Sequence, residues 1–132
     1  MDIDMNSSNE CIFCEIAKTD RVIDQTDYCF VIRDAFPVTE GHTLIIPKRH
    51  VADYFDLTPD ETSDIQQLLQ KHKAQIERKD ESADGFNIGI NVGATAGQTV
   101  FHVHVHLIPR RIGDVDNPKG GVRGVIPAKQ KY

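Results

Sequence analysis

Three histidines occupy alternate positions in the segment His102-Val103-His104-Val105-His106. Because a β-strand has a side-chain period of two, this spacing predicts all three imidazoles on one face of a strand and the valines on the other. An imidazole titrates near neutral pH and can serve as a nucleophile, an acid or base, or a metal ligand. The segment therefore predicts a site at which imidazoles do chemistry or bind a ligand.

Two kinds of chemistry compete for this spacing. Same-face neighbours on a strand lie about 6.6 Å apart and the outer pair about 13 Å apart, whereas zinc binds its ligands at about 2.0–2.1 Å. One catalytic metal held by all three histidines is therefore disfavoured. A neutral imidazole can instead attack phosphorus and form a covalent nucleotidyl-histidine, which water later cleaves. We favour nucleophilic catalysis and retain metal-dependent hydrolysis as the alternative.

A segment with two glycines, Gly93-Ala-Thr-Ala-Gly97-Gln98-Thr99, directly precedes the histidines. The backbone N–H groups and hydroxyls of such a loop can bind phosphate. Loops of this composition are usually simple turns, but this position next to three histidines favours phosphate binding.

The elements that position these residues follow from short-range patterns. Segments rich in β-branched and aromatic residues predict strands, and a short helix is expected over 11–18. The strands are expected over 28–33, 42–47, 86–92 and 99–108, the last two joined as a hairpin-like pair. We expect an α+β fold, in which an antiparallel sheet of about five strands packs against one long helix, with the short helix at the N-terminal end.

The long helix has the clearest signals. Thr58-Pro59-Asp60-Glu61 forms a capping box with proline at the first helical position, and the helix is expected to end near the turn-prone segment 79–85. Its apolar stripe has helical spacing, and a histidine on such a stripe is expected to be packed in the core rather than to bind a ligand. The stripe consists of Ile65, Leu68, Leu69, His72 and Ile76.

Length and charge limit the possible partners. The 132 residues fit one domain, and the net charge is −5, of which residues 110–132 contribute +4. This acidity argues against long nucleic acid as a partner, and no apolar run suits a membrane span. The polar start lacks the features of a secretion signal, so we expect a cytoplasmic protein. We divide it into a disordered tail (1–10), a domain (11–110) and a basic C-terminal extension (111–132).

The three cysteines are Cys11, Cys14 and Cys29. An odd number without a secretion signal predicts reduced thiols. Cys11-x-x-Cys14 has the spacing of a metal-binding pair, and the alternatives are a metal-free thiol pair or a redox pair. Cys29 is expected to be a buried strand residue.

Residues 96–110, Ala-Gly-Gln-Thr-Val-Phe-His-Val-His-Val-His-Leu-Ile-Pro-Arg, closely resemble the signature of the histidine triad (HIT) superfamily. Asp34, followed by Gly41-His-Thr-Leu-Ile-Ile-Pro-Lys-Arg-His50, is similar to the nucleotide-pocket segment of that family. The resemblance extends from Cys11 to Arg110, and the triad with its Gly-Gln-Thr approach is its most specific part.

The resemblance implies a role for each matching residue. His104 would attack the α-phosphate, His106 would hydrogen-bond a phosphate oxygen, and Thr99 and Gln98 would contact the phosphate or the leaving group. Asp34 would bind the ribose hydroxyls, a task that suits two acceptor oxygens. The remaining nucleotide-binding residues would be Asn91 and Gly97 near the phosphate, His42 behind the triad, and Ile12, Phe13 and Ile32 around the purine.

Family members of this type also bind structural zinc through an N-terminal Cys-x-x-Cys and two distant histidines. Here the ligands would be Cys11, Cys14, His50 and His102, a donor set typical of a closed zinc site. His102 would then be structural rather than catalytic, and no catalytic metal would be required. The resemblance further implies a homodimer that pairs along the long helix and a strand.

The implied function is hydrolysis at the α-phosphate of purine dinucleoside polyphosphates. His106 argues against the nucleotide-transferase branch of the family, which has glutamine there. Thr99 resembles the diadenosine polyphosphate hydrolases, whereas Asn91 and the chain length resemble the Hint branch, which hydrolyses nucleoside phosphoramidates and adenylated amines. The Hint-type activity is the alternative, and a purine-nucleotide sensor without turnover is the alternative of another class.

Overall fold

A computed structural model describes residues 10–132 and has the expected α+β architecture. Apart from Glu10, the predicted disordered tail lies outside the described residues. The strands are β1 (Asp24–Gln25), β2 (Cys29–Arg33), β3 (Thr43–Pro47), β4 (Gly85–Gly89) and β5 (Val105–Arg110), and the α-helices are α1 (Ile12–Ile16) and α2 (Pro59–Lys79). All strand pairs of the five-stranded sheet are antiparallel, in the order β1-β2-β3-β5-β4.

Different helices pack on the two faces of the sheet. On one face, Val31, Ile45 and Val105 pack against Ile65 and Leu68 of α2. On the other face, the alternate residues of β2 and β3 pack against α1 in a second apolar cluster, which comprises Cys11, Phe13, Ile16, Phe30, Ile32, Leu44 and Ile46. The long helix therefore leaves the second face open for a site that α1 and the loops complete.

The capping signals in the sequence predicted the start of α2 correctly. The Thr58 hydroxyl accepts from the Glu61 N–H, and the Glu61 carboxylate accepts from the Thr58 N–H, as the capping box predicts. His72 is 2% exposed and its Nε2 lies 2.9 Å from an Asp24 carboxylate oxygen, so it is packed, as expected. Cys29 is fully buried in its strand, again as expected.

The strand that was expected to hold the triad begins later than predicted. The expectation of 99–108 is wrong, because β5 starts at Val105 and only His106 of the three histidines belongs to it. Pro47, at the end of β3, has no N–H to donate to the ladder. The N–H of Val103 instead donates to the carbonyl of Val51 at 2.8 Å, so the chain joins the sheet only after His104.

The other differences lie in the loops around the sheet. Strand β4 ends at Gly89 rather than at residue 92, so the connection to β5 spans residues 90–104. Within it, Gly93 and Gly97 have φ of 89° and 98°, which glycine adopts without strain. Residues 111–132 contain two 3₁₀ helices, Gly121–Val125 and Pro127–Lys129, and the first contacts β4. Among residues 10–132, no helix combines the length and apolar character needed to cross a bilayer.

Candidate functional site

A cavity of about 370 Å³ opens on the sheet face opposite α2. Ile32 and Leu44 form its floor, and α1 contributes Ile12, Phe13 and Ile16. At its other end lie polar groups, so the cavity has an apolar slot and a polar end. The predicted site residues that line it are Ile12, Phe13, Ile32, Asp34, Asn91, Gly97, Thr99, His104 and His106.

Some lining residues were not predicted. Leu44 lines the cavity because it pairs with Ile32 in the β2–β3 register and lies on the same sheet face, a placement that the sequence alone does not show. Phe36, at the cavity rim, is 88% exposed and lies in a loop where no periodic pattern applies. The remaining unpredicted residues are Ile16, Arg21, Ala35 and Val100.

His104 is held as a neutral imidazole with one defined tautomer. Its Nδ1 lies 2.9 Å from the backbone carbonyl of His102. A carbonyl can only accept, so Nδ1 carries the proton and Nε2 keeps its lone pair. Burial lowers the pKa of His104, which favours the uncharged ring.

His42 and His106 form a hydrogen bond in which the donor and the acceptor are defined. The N–H of Val38 donates to His42 Nδ1 at 3.1 Å, so the proton of the neutral His42 ring is on Nε2. That Nε2 lies 2.9 Å from Nδ1 of His106 and donates to it, which leaves the proton of His106 on its own Nε2. Burial lowers the pKa of His106 to about 4, so the ring is a neutral N–H donor. Such a donor suits a phosphate oxygen.

Asp34 lies at the rim of the cavity, next to this pair. One of its carboxylate oxygens is 3.5 Å from His42 Nε2, and the other accepts from the N–H of Phe36 at 2.8 Å. Asp34, His42 and His106 are close enough together to be considered as metal ligands. However, His42 Nε2 and His106 Nδ1 share one hydrogen bond and cannot both offer lone pairs to an ion. This geometry disfavours a metal-dependent hydrolase at this position.

Gln98 is not brought to the cavity. Its side-chain oxygen accepts from the N–H of Gly93 at 2.8 Å, and its amide nitrogen donates to the carbonyls of Ala52 and Val100 at 2.8 and 3.1 Å. Both amide hydrogens are therefore used, one to tie the loop to Ala52 and one within the loop. The expected direct contact between this side chain and phosphate has to be corrected, and Gln98 instead fixes the loop that carries Gly97 and Thr99.

The four predicted zinc ligands lie together at one end of α1, as expected. The donor atoms of Cys11, Cys14, His50 and His102 all lie within 4.8 Å of one another. Nδ1 of His102 is 3.3 Å from Cys11 Sγ and 3.5 Å from Cys14 Sγ, and Nδ1 of His50 is 3.4 Å from Cys14 Sγ. Tetrahedral zinc with ordinary bond lengths separates sulfur and nitrogen ligands by about 3.6 Å. The geometry of the residues therefore fits the ion.

A hydrogen bond of the other ring nitrogen also orients His102 for metal binding. Its Nε2 lies 2.7 Å from the carbonyl of Pro47, which places the proton on Nε2 and the lone pair on Nδ1, toward the cysteines. Phe13 separates this group from the cavity, with its ring centroid 6.1 Å from that of His102 and 4.9 Å from that of His104. The group of four residues thus holds α1, one wall of the cavity, next to His104.

Comparisons with known proteins agree with this geometry. The model of the HIT domain family matches residues 15–113. An uncharacterized 16.1 kDa HIT-like protein of Mycoplasma pneumoniae is 39% identical over 107 residues, which cover 79% of this chain and 74% of that protein. The asymmetrical bis(5'-nucleosyl)-tetraphosphatase of Schizosaccharomyces pombe is 50% identical over 78 residues, or 59% of this chain and 42% of the relative.

A solved structure is similar over most of the fold. The crystal structure of a zinc-bound histidine triad family protein from Mycobacterium smegmatis superposes with a TM-score of 0.71 at 40% identity. The match covers 82% of this chain and 80% of that one.

Proposed function

The chain belongs to the HIT family, and we propose that it is a nucleotide hydrolase that acts through a covalent nucleotidyl-histidine on His104. One observation carries the proposal. The carbonyl of His102 fixes the His104 tautomer, so that the unprotonated nitrogen belongs to a ring that lines the cavity. A buried neutral imidazole next to an apolar slot and a donor such as His106 is suited to attack a nucleotide phosphorus.

In the first step, the lone pair of His104 Nε2 forms a bond to the α-phosphorus. The bond from phosphorus to the bridging oxygen breaks, and the leaving group departs with that electron pair. The ring then carries a positive charge, which the bond from Nδ1–H to the His102 carbonyl stabilises. The Nε2–H of His106 donates to a non-bridging oxygen, whose charge rises in the transition state.

In the second step, water attacks the same phosphorus from the side that the leaving group has vacated. The bond between phosphorus and His104 breaks, its electron pair returns to Nε2, and the water gives up a proton to solvent. The products are a nucleoside 5′-monophosphate and the group that departed first, and one water is consumed. Asp34 binds the ribose hydroxyls throughout, and the apolar slot binds the purine.

The substrates we propose are purine dinucleoside polyphosphates. The name of the yeast relative and Thr99 in the cavity support this class. Hydrolysis of nucleoside phosphoramidates or adenylated amines is the alternative, because the same nucleophile can cleave a phosphorus–nitrogen bond. A nucleotide sensor would bind the same ligands without turnover.

The proposal includes three further features. Cys11, Cys14, His50 and His102 would hold a structural zinc, which would supply stability rather than chemistry. A homodimer is supported by the family resemblance and by the position of β4, which has one neighbour in the sheet. A reducing, cytoplasmic location is supported by three free cysteines.

Trapping the intermediate tests the proposal. The protein is mixed with diadenosine tetraphosphate, quenched within milliseconds and analysed by mass spectrometry. We expect an adenylyl adduct on His104 that is absent from His104→Ala, which should bind nucleotide but not turn it over. His72→Gln, another buried histidine, serves as the control and should still form the adduct. Turnover by His104→Ala at the wild-type rate would overturn the mechanism, and a persistent adduct without product release would favour the sensor.

A further inference from the structure

A cation lines the apolar slot of the cavity, and the proposed reaction gives it no task. Arg21 borders the cavity beside Ile32 of β2 and Ile16 of α1. The side chains around it are apolar and offer nothing that could distinguish one purine from another by hydrogen bonding. The other polar side chains of the lining are those already assigned to the ribose and the phosphate, namely Asp34, Asn91, Thr99, His104 and His106.

The register of the sheet places Arg21 at the end of the slot that is remote from the triad. His106 pairs with Leu44, and Leu44 pairs with Ile32, so these three residues form a row across three strands. The row is about 10 Å long at the usual strand spacing. Beyond Ile32, the segment 21–25 runs along the outer edge of β2 and forms β1. Arg21 begins this segment and therefore lies past the end of the row.

Short contacts hold Arg21 between the two elements that form the slot. The Thr19 hydroxyl donates to the carbonyl of Ile16, the last residue of α1, at 2.7 Å and accepts from the N–H of Arg21 at 3.3 Å. One terminal nitrogen of the guanidinium donates to the carbonyl of Arg33, the last residue of β2, at 3.3 Å. The backbone and the head group of Arg21 are thus both oriented by the walls of the cavity.

The rest of the guanidinium is available to a ligand. The group carries N–H donors on three nitrogens, and the Arg33 carbonyl uses one of them. Between residues 10 and 132, Arg21 forms no ion pair, whereas Arg49, Arg110 and Arg111 each contact a carboxylate. Arg21 therefore presents unused donors and an uncompensated charge at the slot.

The chemistry of the guanidinium favours one purine over the other. A guanidinium only donates, and its forked donors match two adjacent acceptors. Guanine presents O6 and N7 as two acceptors on one edge, whereas adenine presents N7 beside an amino group that itself donates. With the ribose at Asp34 and the α-phosphate at His104, the base lies over Ile32 with an edge toward Arg21. A guanine at this place satisfies the fork, and an adenine opposes one donor with another.

We propose that Arg21 selects the base by donating to O6 and N7 of guanine. The preferred substrates are then dinucleoside polyphosphates with guanine on the nucleoside whose α-phosphate is attacked. The inference rests on the proposed function for the placement of the nucleotide, and it adds a choice between the two purines that an apolar slot alone does not make.

Calorimetric titration with three nucleoside monophosphates tests the proposal. GMP, IMP and AMP are titrated into the wild type, Arg21→Met and Arg78→Met. The wild type should bind GMP and IMP about tenfold or more tightly than AMP, because IMP keeps O6 and N7 and lacks only the 2-amino group. Arg21→Met should bind all three ligands about equally, with its affinity for AMP nearly unchanged.

Arg78→Met is the matched control. Arg78 is an exposed residue in the last turn of α2, which packs on the opposite face of the sheet, and its replacement removes the same charge. This variant should keep the preference for GMP. Equal affinity of the wild type for GMP and AMP would overturn the proposal. Equal losses for both ligands in Arg21→Met would overturn it as well, since Arg21 would then attract phosphate without distinguishing the base.

The titration is independent of turnover, so the inference and the proposed function fail separately. Selective binding of GMP without an adduct on His104 would support the role of Arg21 and refute the hydrolase mechanism. An adduct on His104 together with equal binding of GMP and AMP would refute only the role of Arg21. Where turnover occurs, kcat/KM for diguanosine tetraphosphate should exceed that for diadenosine tetraphosphate in the wild type and match it in Arg21→Met.

Discussion

The pair formed by His42 and His106 yields a prediction that can be worked out from its hydrogen bonds. His42→Phe keeps a ring in the same buried place but removes the donor to His106 Nδ1, now 2.9 Å away, and the acceptor of the Val38 N–H. Without that donor, His106 is free to move its proton to Nδ1. The nitrogen that faces the phosphate then carries a lone pair and repels the oxygen it should stabilise.

The size of the effect follows from one buried hydrogen bond. Leaving a buried polar group unpaired costs about 1–3 kcal/mol, and each 1.36 kcal/mol in the barrier is about a tenfold change in rate. We therefore expect kcat to fall about 10- to 100-fold. KM should change less, because the contact between His106 and phosphate is strongest in the transition state.

The assay is steady-state hydrolysis of diadenosine tetraphosphate, with thermal unfolding measured in parallel. His42→Gln, which can again donate to His106, should recover part of the loss in kcat. His72→Phe is the matched control, since it also removes a buried imidazole bond of 2.9 Å, on the opposite face of the sheet. It should lower stability and leave kcat unchanged. Equal effects on kcat in His42→Phe and His72→Phe would refute the reasoning.

Three further predictions concern metal, pH and ribose. A chelator should lower Tm by about 10–20 °C, given about 4 kcal/mol of linked binding energy. Cys14→Ser should remove this sensitivity to the chelator, and the control Cys29→Ser should keep it. The same shift in the wild type and both variants would contradict a structural zinc. The Arg49 guanidinium holds the pKa of Glu61 below its usual 4.5, so the ion pair stabilises the fold above that pH and this contribution is lost as the pH falls further. The difference in unfolding free energy between the wild type and Glu61→Gln should therefore shrink in acid. A difference that stays constant with pH would argue against a stabilising ion pair. Asp34→Asn should raise KM about 5- to 30-fold through weaker ribose hydrogen bonds, with kcat nearly unchanged; a selective loss of kcat would assign Asp34 a different role.

The features that the sequence predicted correctly depend on neighbours along the chain. The capping box that begins α2 involves Thr58 and Glu61, which are three residues apart. The strand from Thr43 to Pro47 is indicated by a short run of β-branched and apolar residues that ends at a proline. Such short-range patterns gave the α+β class and the long helix, whereas the family resemblance gave most of the cavity lining.

The features that the sequence did not predict depend on contacts between distant segments. The late start of β5 follows from Pro47 and from the bond between Val103 and Val51. The engagement of Gln98 with the carbonyl of Ala52 has no short-range signal. No pattern in the chain shows that Gly89 lies beside His106, because that pairing is a matter of register.

The structure also explains why three adjacent histidines differ in their chemistry. Each has one ring nitrogen fixed by a defined partner, which is a carbonyl for His102 and His104 and another imidazole for His106. The remaining nitrogen is a lone pair directed at the cysteines in His102, a lone pair available for attack in His104, and an N–H donor in His106. These hydrogen bonds distinguish three rings that the sequence motif alone leaves equivalent.

The stereochemistry at phosphorus tests the central claim most directly. A dinucleoside polyphosphate whose reacting α-phosphorus is made chiral with sulfur is hydrolysed in ¹⁸O-labelled water, and the configuration of the product phosphorothioate is determined. Attack by His104 followed by attack of water gives two in-line displacements, so the account predicts retention of configuration. Inversion would show a single displacement by water and would contradict a nucleotidyl-histidine intermediate.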